Sequence, residues 1–179
     1  MLDEKNSLIL MIDFQEKLVK ATSADKEAEN ARKAISGGKA LGLPIVVSEQ
    51  YPKGLGNTIT SINEVLDDSD VKIEKAAFSL LKEDGALDKI KSFGKKQVVL
   101  FGIETHICVL QTALELLENG FEVFVLKNAC KSRDESEKAS ALEYLQADGA
   151  KVLTLENMLF QLLRTSKHPK FKEVQALIK

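Results

Sequence analysis

With 179 residues, 44% hydrophobic and 29% charged, the chain has material for one full-sized core and too little for two comfortable ones. Its 25 Lys+Arg against 27 Asp+Glu leave a net charge of −2 with no basic stripe or long like-charge block, which excludes the usual nucleic-acid binders. No apolar run approaches the ~20 residues of a membrane span, so no membrane partner is expected. The polar start MLDEKNS carries no signal-peptide pattern, and two cysteines make no disulfide framework. Free thiols in a cytoplasmic setting are the resulting expectation.

Leu8–Ile12 is a continuous apolar run, as a strand buried on both faces requires. A helix follows, opened by Ser23 or Asp25 and closed near Leu41 by Gly42 and Pro44. Ile45–Val47 is the second strand, and the turn-rich loop Glu49–Asn57 comes after it. Val71–Glu74 is a weaker third strand, and Gly85–Phe93 carries Leu87, Ile90 and Phe93 at helical spacing. Val98–Phe101 is the fourth strand, with a long helix over Ile107–Leu117 behind it. Phe121–Leu126 is the fifth, and Ser132 with Glu135 has the S-x-x-E spacing of a capping box for the helix ending at Gly149. Val152–Leu155 is the sixth strand, and Asn157–Lys179 reads as a helix broken at His168-Pro169 and a short second one. Strands separated by helices need crossover connections. The expected fold is therefore α/β over residues 1–179 as a single domain, a doubly wound, mostly parallel sheet between helical layers.

In such a sheet, ligands bind beyond the carboxyl ends of the strands, near a switch point in strand order. Asp13 ends the first strand, Lys75 ends the third, and Cys108 lies a short loop after the fourth. Each has a structural alternative: an Asp capping a turn, a Lys at a solvated strand end, a Cys used as a small core residue. Together they make a chemical set. A helix N-terminus and a nearby ammonium favour a thiolate, so Lys75 is expected to lower the Cys108 pKa. Asp13 would take the thiol proton and return it to a leaving group. Backbone N–H groups at the helix start would hold an oxyanion.

LILMIDFQ, the Lys of EKAAFS and GIETHICV resemble, in order and spacing, the three motifs of the isochorismatase-like cysteine hydrolases. SEQYPKGLGNT, NACKSR and the tail HPKFKEVQALIK extend the likeness to the small isochorismatase domain-containing proteins, over nearly the whole chain. The resemblance implies a six-stranded, three-layer fold and an Asp13–Lys75–Cys108 triad. It also implies a cis Ile103-Glu104 peptide, an oxyanion hole from the Glu104 and Cys108 amides, and a homo-oligomer. Relatives that bind zinc carry Asp-x-His after the second strand; here that stretch is Glu49-Gln50-Tyr51, so neither a metal nor another cofactor is expected. Isochorismatases proper lack the cysteine, which points away from vinyl-ether hydrolysis. Asn128 stands where relatives commonly have Asp.

By proximity to the motifs, Gln15, Gln50, Tyr51, Phe78 and Thr105 are the candidates for contacting a small-molecule substrate. The Glu104 carboxylate must point away from an anion hole or find a partner, and Cys130, with no base beside it, is a bystander. Phe171, Val174 and Leu177 give the tail an apolar face that either meets a second subunit or docks on its own chain. The leading expectation is a metal-free cysteine hydrolase of a small amide or related C–N bond, acting through an acyl-thioester. The alternative is a non-catalytic binding or scaffold protein that retains the fold. No Gly-rich phosphate loop follows any strand, which leaves little for a flavodoxin-like nucleotide binder.

Overall fold

The apolar runs pair into one sheet. In the computed structural model, which describes all 179 residues, the strands are β1 (Ser7–Ile12), β2 (Ile45–Gln50), β3 (Val71–Lys75), β4 (Gln97–Ile103), β5 (Glu122–Lys131) and β6 (Lys151–Leu153). They lie in the order β3-β2-β1-β4-β5-β6, and every neighbouring pair is parallel. β1 and β4 are central and buried at every position, whereas edge strand β3 alternates and buries only Lys75. That contrast is why the first and fourth runs are so apolar and the third is not.

The helices are α1 (Glu16–Thr22), α2 (Asp25–Ala40), α3 (Pro52–Leu55), α4 (Thr60–Asn63), α5 (Ala86–Ser92), α6 (Leu110–Glu118), α7 (Glu135–Ala147), α8 (Leu155–Leu163) and α9 (Phe171–Ala176). The chain moves one way along the sheet from β1 to β2 and the other way from β4 to β5. Right-handed crossovers therefore put α2 and α6 on opposite faces. α8 and α9 join α2, and α7 joins α6, completing three layers. α2 lies close on the sheet because Gly38 has no side chain: a Cβ there would stand 2.3 Å from Ile9 Cδ1.

Several local expectations are corrected. Helix α7 is capped by Asp134, whose carboxylate accepts the Ser136 N–H, and Ser132 is fully buried instead. The capping box in the chain is Thr154 with Asn157, opening α8 two residues before the expected tail helix begins. α8 stops at Leu163, where Arg164 turns to φ +60°, well ahead of His168-Pro169. β5 continues past Leu126 to Lys131 through a break in register, since Leu100 faces Val125 and Gly102 faces Cys130. The tail docks on its own chain: Val174 is fully buried and Leu177 reaches Gly37 of α2.

Candidate active site

β1 and β4 flank the switch point, and the chain leaves the carboxyl ends of β1 and β2 by abrupt turns. Asp13 (φ +53°) and Tyr51 (φ +37°) both take the left-handed conformation that disfavours residues with a Cβ, at a cost of roughly 1–3 kcal/mol each. Asp13 is held there by its N–H to the Ser48 carbonyl at 3.2 Å and by the Gln15 N–H on its own carbonyl at 2.8 Å. The turn carries its carboxylate under the sheet edge, fully buried.

Three of the residues expected to act together do meet. Lys75, the last residue of β3, places Nζ 2.7 Å from Asp13 Oδ2 and 3.4 Å from Cys108 Sγ, with the Lys75 and Asp13 side chains fully shielded from solvent. Ser48 Oγ donates to the other Asp13 oxygen at 2.6 Å. The Lys75 ammonium also donates to Gln50 Oε1 at 2.5 Å and to the carbonyls of Phe78 at 3.1 Å and Ala77 at 3.3 Å. With five acceptors around three N–H groups, it is anchored as a fixed cation. Ser48 escaped attention in the sequence. The available signal was its place in register beside Ile12, one residue before Asp13.

Cys108 does not open an α-helix. It lies in a π-type turn, Thr105–Val109, that leads into α6, and only 7% of its surface is exposed. The Ile103-Glu104 peptide before it is cis. The Glu104 N–H makes no hydrogen bond within the chain, and Thr105 Oγ1 is buried without a partner. The Glu104 carboxylate turns away and takes Arg133, whose Nε lies at 2.8 Å and N at 3.2 Å.

Burial reverses the expected sign of the cysteine's pKa. Desolvation first, and the Asp13 charge second, push the Cys108 thiol up to about 12, outweighing the pull of the Lys75 ammonium. Burial also raises the Asp13 carboxyl, against the lowering influence of Lys75 and Ser48. The resting site is a buried ion pair beside a neutral thiol. Losing a proton to water would leave it with a net negative charge, whereas handing that proton to Asp13 would leave the total unchanged.

One of the expected substrate contacts, Gln15, is corrected. Gln15 is fully buried and its amide is saturated: Nε2 donates to the Gln50 and Gly56 carbonyls, and Oε1 accepts the Gln50 N–H. Gln50 spends its side chain on Lys75 and on the Ala76 carbonyl. Gln15 holds the Gln50 backbone, and the half-buried Gln50 holds the Lys75 ammonium. Tyr51 fronts a cleft of about 320 Å³ with Pro52, Lys53, Glu74, Lys75 and Ala76. Tyr51 and Phe78 are 61% and 55% exposed at this end of the sheet. Asn128 caps α8 by accepting the Leu155 N–H, and Cys130 is fully buried in the core. His106 Nδ1 lies 2.9 Å from Ser132 Oγ, and His168 sits by Glu4, far from the triad in the fold's tail.

The sequence profile of the isochorismatase domain matches residues 7–157. The chain belongs to the isochorismatase family. Isochorismatase domain-containing protein 2 of Xenopus laevis is 37% identical over 178 residues, covering 99% of this chain and 85% of that protein. Isochorismatase domain-containing protein 1 of Danio rerio is 43% identical over 150 residues, 83% of this chain but 52% of that relative, so the chain spans about half its length. Among solved structures, one described as the MAR1 ribonuclease of Caenorhabditis elegans superposes with a TM-score of 0.93 at 36% identity, over 99% of this chain and 91% of that one. The six-stranded parallel sheet and its helices are thus the isochorismatase-like hydrolase fold. No helix is long and apolar enough to cross a membrane.

Proposed function

We propose that this protein is a cysteine hydrolase that cleaves a small amide, or a related C–N bond, at Cys108. The observation that carries the proposal is the meeting of Asp13, Lys75 and Cys108, a base, a fixed cation and a thiol, within hydrogen-bond or ion-pair reach at the switch point. Attack would begin with transfer of the thiol proton to Asp13, whose raised pKa suits it to hold one. Lys75 would balance the charge on sulfur as the C–S bond forms. The oxyanion would take the unused Glu104 N–H, with the Cys108 N–H as the second donor, and each such donor is worth about 10²–10³ in rate. Collapse would break the C–N bond, pass the Asp13 proton to the leaving amine and leave a thioester. Water would then give one proton to Asp13 and add to the thioester, and collapse would break the C–S bond, release the acid and return the Asp13 proton to the sulfur.

The description of the worm neighbour as a ribonuclease raises RNA as a second substrate class. The net charge of −2 and a nucleophile only 7% exposed favour the small amide, because phosphate backbones are gripped by clustered basic side chains. We take residues 1–179 as one hydrolase domain working in the cytoplasm as a homo-oligomer, with no cofactor. The scaffold alternative keeps these three groups without turning anything over, and predicts no Cys108-dependent hydrolysis. Cys108→Ala is the test: with a substrate found by amide screening, hydrolysis should fall at least ~10³-fold, and unchanged turnover, or RNA cleavage that survives the substitution, would refute the mechanism.

A further inference from the structure

The charges that touch Cys108 and the Glu104 turn before it are already matched. Lys75 is paired with Asp13 at 2.7 Å and Glu104 with Arg133 at 2.8 Å, and both Lys75 and Asp13 are closed off from water. The amides of Gln15 and Gln50 are used up inside the protein, and the ring Nδ1 of His106 is engaged with Ser132. Two polar groups at the turn that carries the thiol remain without partners, the Glu104 N–H and the fully buried Thr105 hydroxyl, and both are neutral. A carboxylate, phosphate or ammonium drawn to this depth would lose its water and meet no free counter-charge. A neutral carbonyl with an N–H or O–H nearby would satisfy both groups. Lys53, Glu74 and Arg133 are among the charged side chains at this end that stand in solvent, where a distant substrate charge stays hydrated.

We infer that the acyl group admitted to Cys108 is small and uncharged next to its scissile carbonyl, with Glu104 N–H and Thr105 Oγ1 as its hydrogen-bonding partners. The inference rests on the hydrolase proposal for the identity of the nucleophile, but the test of its charge preference needs no turnover.

Thiol reagents of one size and three charges provide that test. The intact chain is treated with neutral 3,3-dimethylbutyl, anionic sulfonatoethyl and cationic trimethylammonioethyl methanethiosulfonate. In each reaction the cysteine sulfur forms a disulfide to the reagent's sulfur and methanesulfinate leaves. Site-resolved mass spectrometry follows Cys108, with the buried Cys130 beside it, and each rate is divided by that reagent's rate with free 2-mercaptoethanol. The expected result is a preference of about 100-fold or more for the neutral reagent over both charged ones at Cys108. A preference below tenfold over either charged reagent would overturn the inference, because the site would then be supplying a counter-charge. Labelling of Cys108 as slow as that of Cys130 with all three would also overturn it, since the pocket would admit no reactant of this size. Thr105→Val, which keeps shape and removes the hydroxyl, should leave the charge preference intact and weaken a found substrate's kcat/KM about tenfold or more. An unchanged kcat/KM removes Thr105 from the site. Failure of the hydrolase proposal shows separately, as turnover surviving Cys108→Ala.

Discussion

Replacing Lys75 with Met keeps most of the side chain's length and removes its charge, leaving the Asp13 carboxylate fully buried with the Ser48 hydroxyl at 2.6 Å and the Cys108 thiol as its neutral partners. Breaking a buried pair from one side costs about 3–5 kcal/mol, because the surviving charge is uncompensated. For a chain of this length that amounts to a fall of roughly 6–20 °C in Tm. The deficit should depend on pH, with a definite sign. Lys75 lowers the Asp13 pKa, so its loss moves an already raised value further up. A carboxyl whose folded pKa lies above its unfolded one contributes stability that is present in acid and lost as pH rises through the folded value. The gap between Lys75→Met and the native protein should therefore be widest at neutral pH and narrow on acidification. Adding Asp13→Asn, which supplies a neutral amide in place of the stranded anion, should recover much of the loss at pH 7. Urea unfolding of the native protein, the single variant and the double variant at pH 7 and pH 5 measures all three effects. A Lys75→Met variant within about 1 kcal/mol of the native protein at pH 7, or a deficit equal at both pH values, would refute the reasoning.

Three further outcomes are expected. Both thiols sit near pKa 12 in the fold against ~8.5 in an unfolded chain, so their contribution is intact below ~8.5 and drains away above it at about 1.4 kcal/mol per pH unit per thiol. Cys130→Ala should halve the thiol share of that alkaline slope in urea unfolding between pH 9 and 10.5, and an unchanged slope would count against it. Gly102→Ala would bring a Cβ 2.2 Å from the Ile12 carbonyl oxygen, a backbone atom that cannot step aside, and should cost about 3 kcal/mol or more. Gly38→Ala meets only the flexible end of Ile9 and should cost about 1–3 kcal/mol, so calorimetry giving the reverse order would contradict this packing account. Ser48→Ala removes a hydrogen bond to a buried carboxylate and should lower stability by about 1.5–3 kcal/mol, whereas a change under 0.5 kcal/mol would mean that Ser48 does not hold Asp13.

The sheet and the meeting of Asp13, Lys75 and Cys108 were legible in the sequence for related reasons. Central parallel strands must be apolar throughout, so Leu8–Ile12 and Val98–Phe101 announce themselves, and whatever polar residue follows them falls at the ligand-binding edge. Asp13 and Cys108 were found that way, and Lys75 from its place at the end of the weaker edge strand β3. Contacts among side chains were not legible, since proximity in sequence says nothing about where an amide spends its hydrogen bonds. Gln15 and Gln50 lie beside the motifs and yet face inward, bracing Lys75. The cysteine's pKa was misjudged for a related reason. The position of Lys75 suggested thiolate stabilisation, but the depth of burial and the charge of Asp13, both properties of the packed fold, decide the sign. Ser132 shows how a correct local pattern yields to tertiary context: its S-x-x-E spacing is real, yet its hydroxyl lies by His106 and Asp134 caps the helix.

The most direct test of covalent catalysis at Cys108 is the intact mass of the protein, quenched in acid during turnover of an amide found by screening for ammonia or amine release. The expected result is a population heavier by the substrate's acyl group, mapped to Cys108, discharged by hydroxylamine and absent in Cys108→Ala. Turnover with no acyl adduct in the native protein, and undiminished in Cys108→Ala, would contradict it.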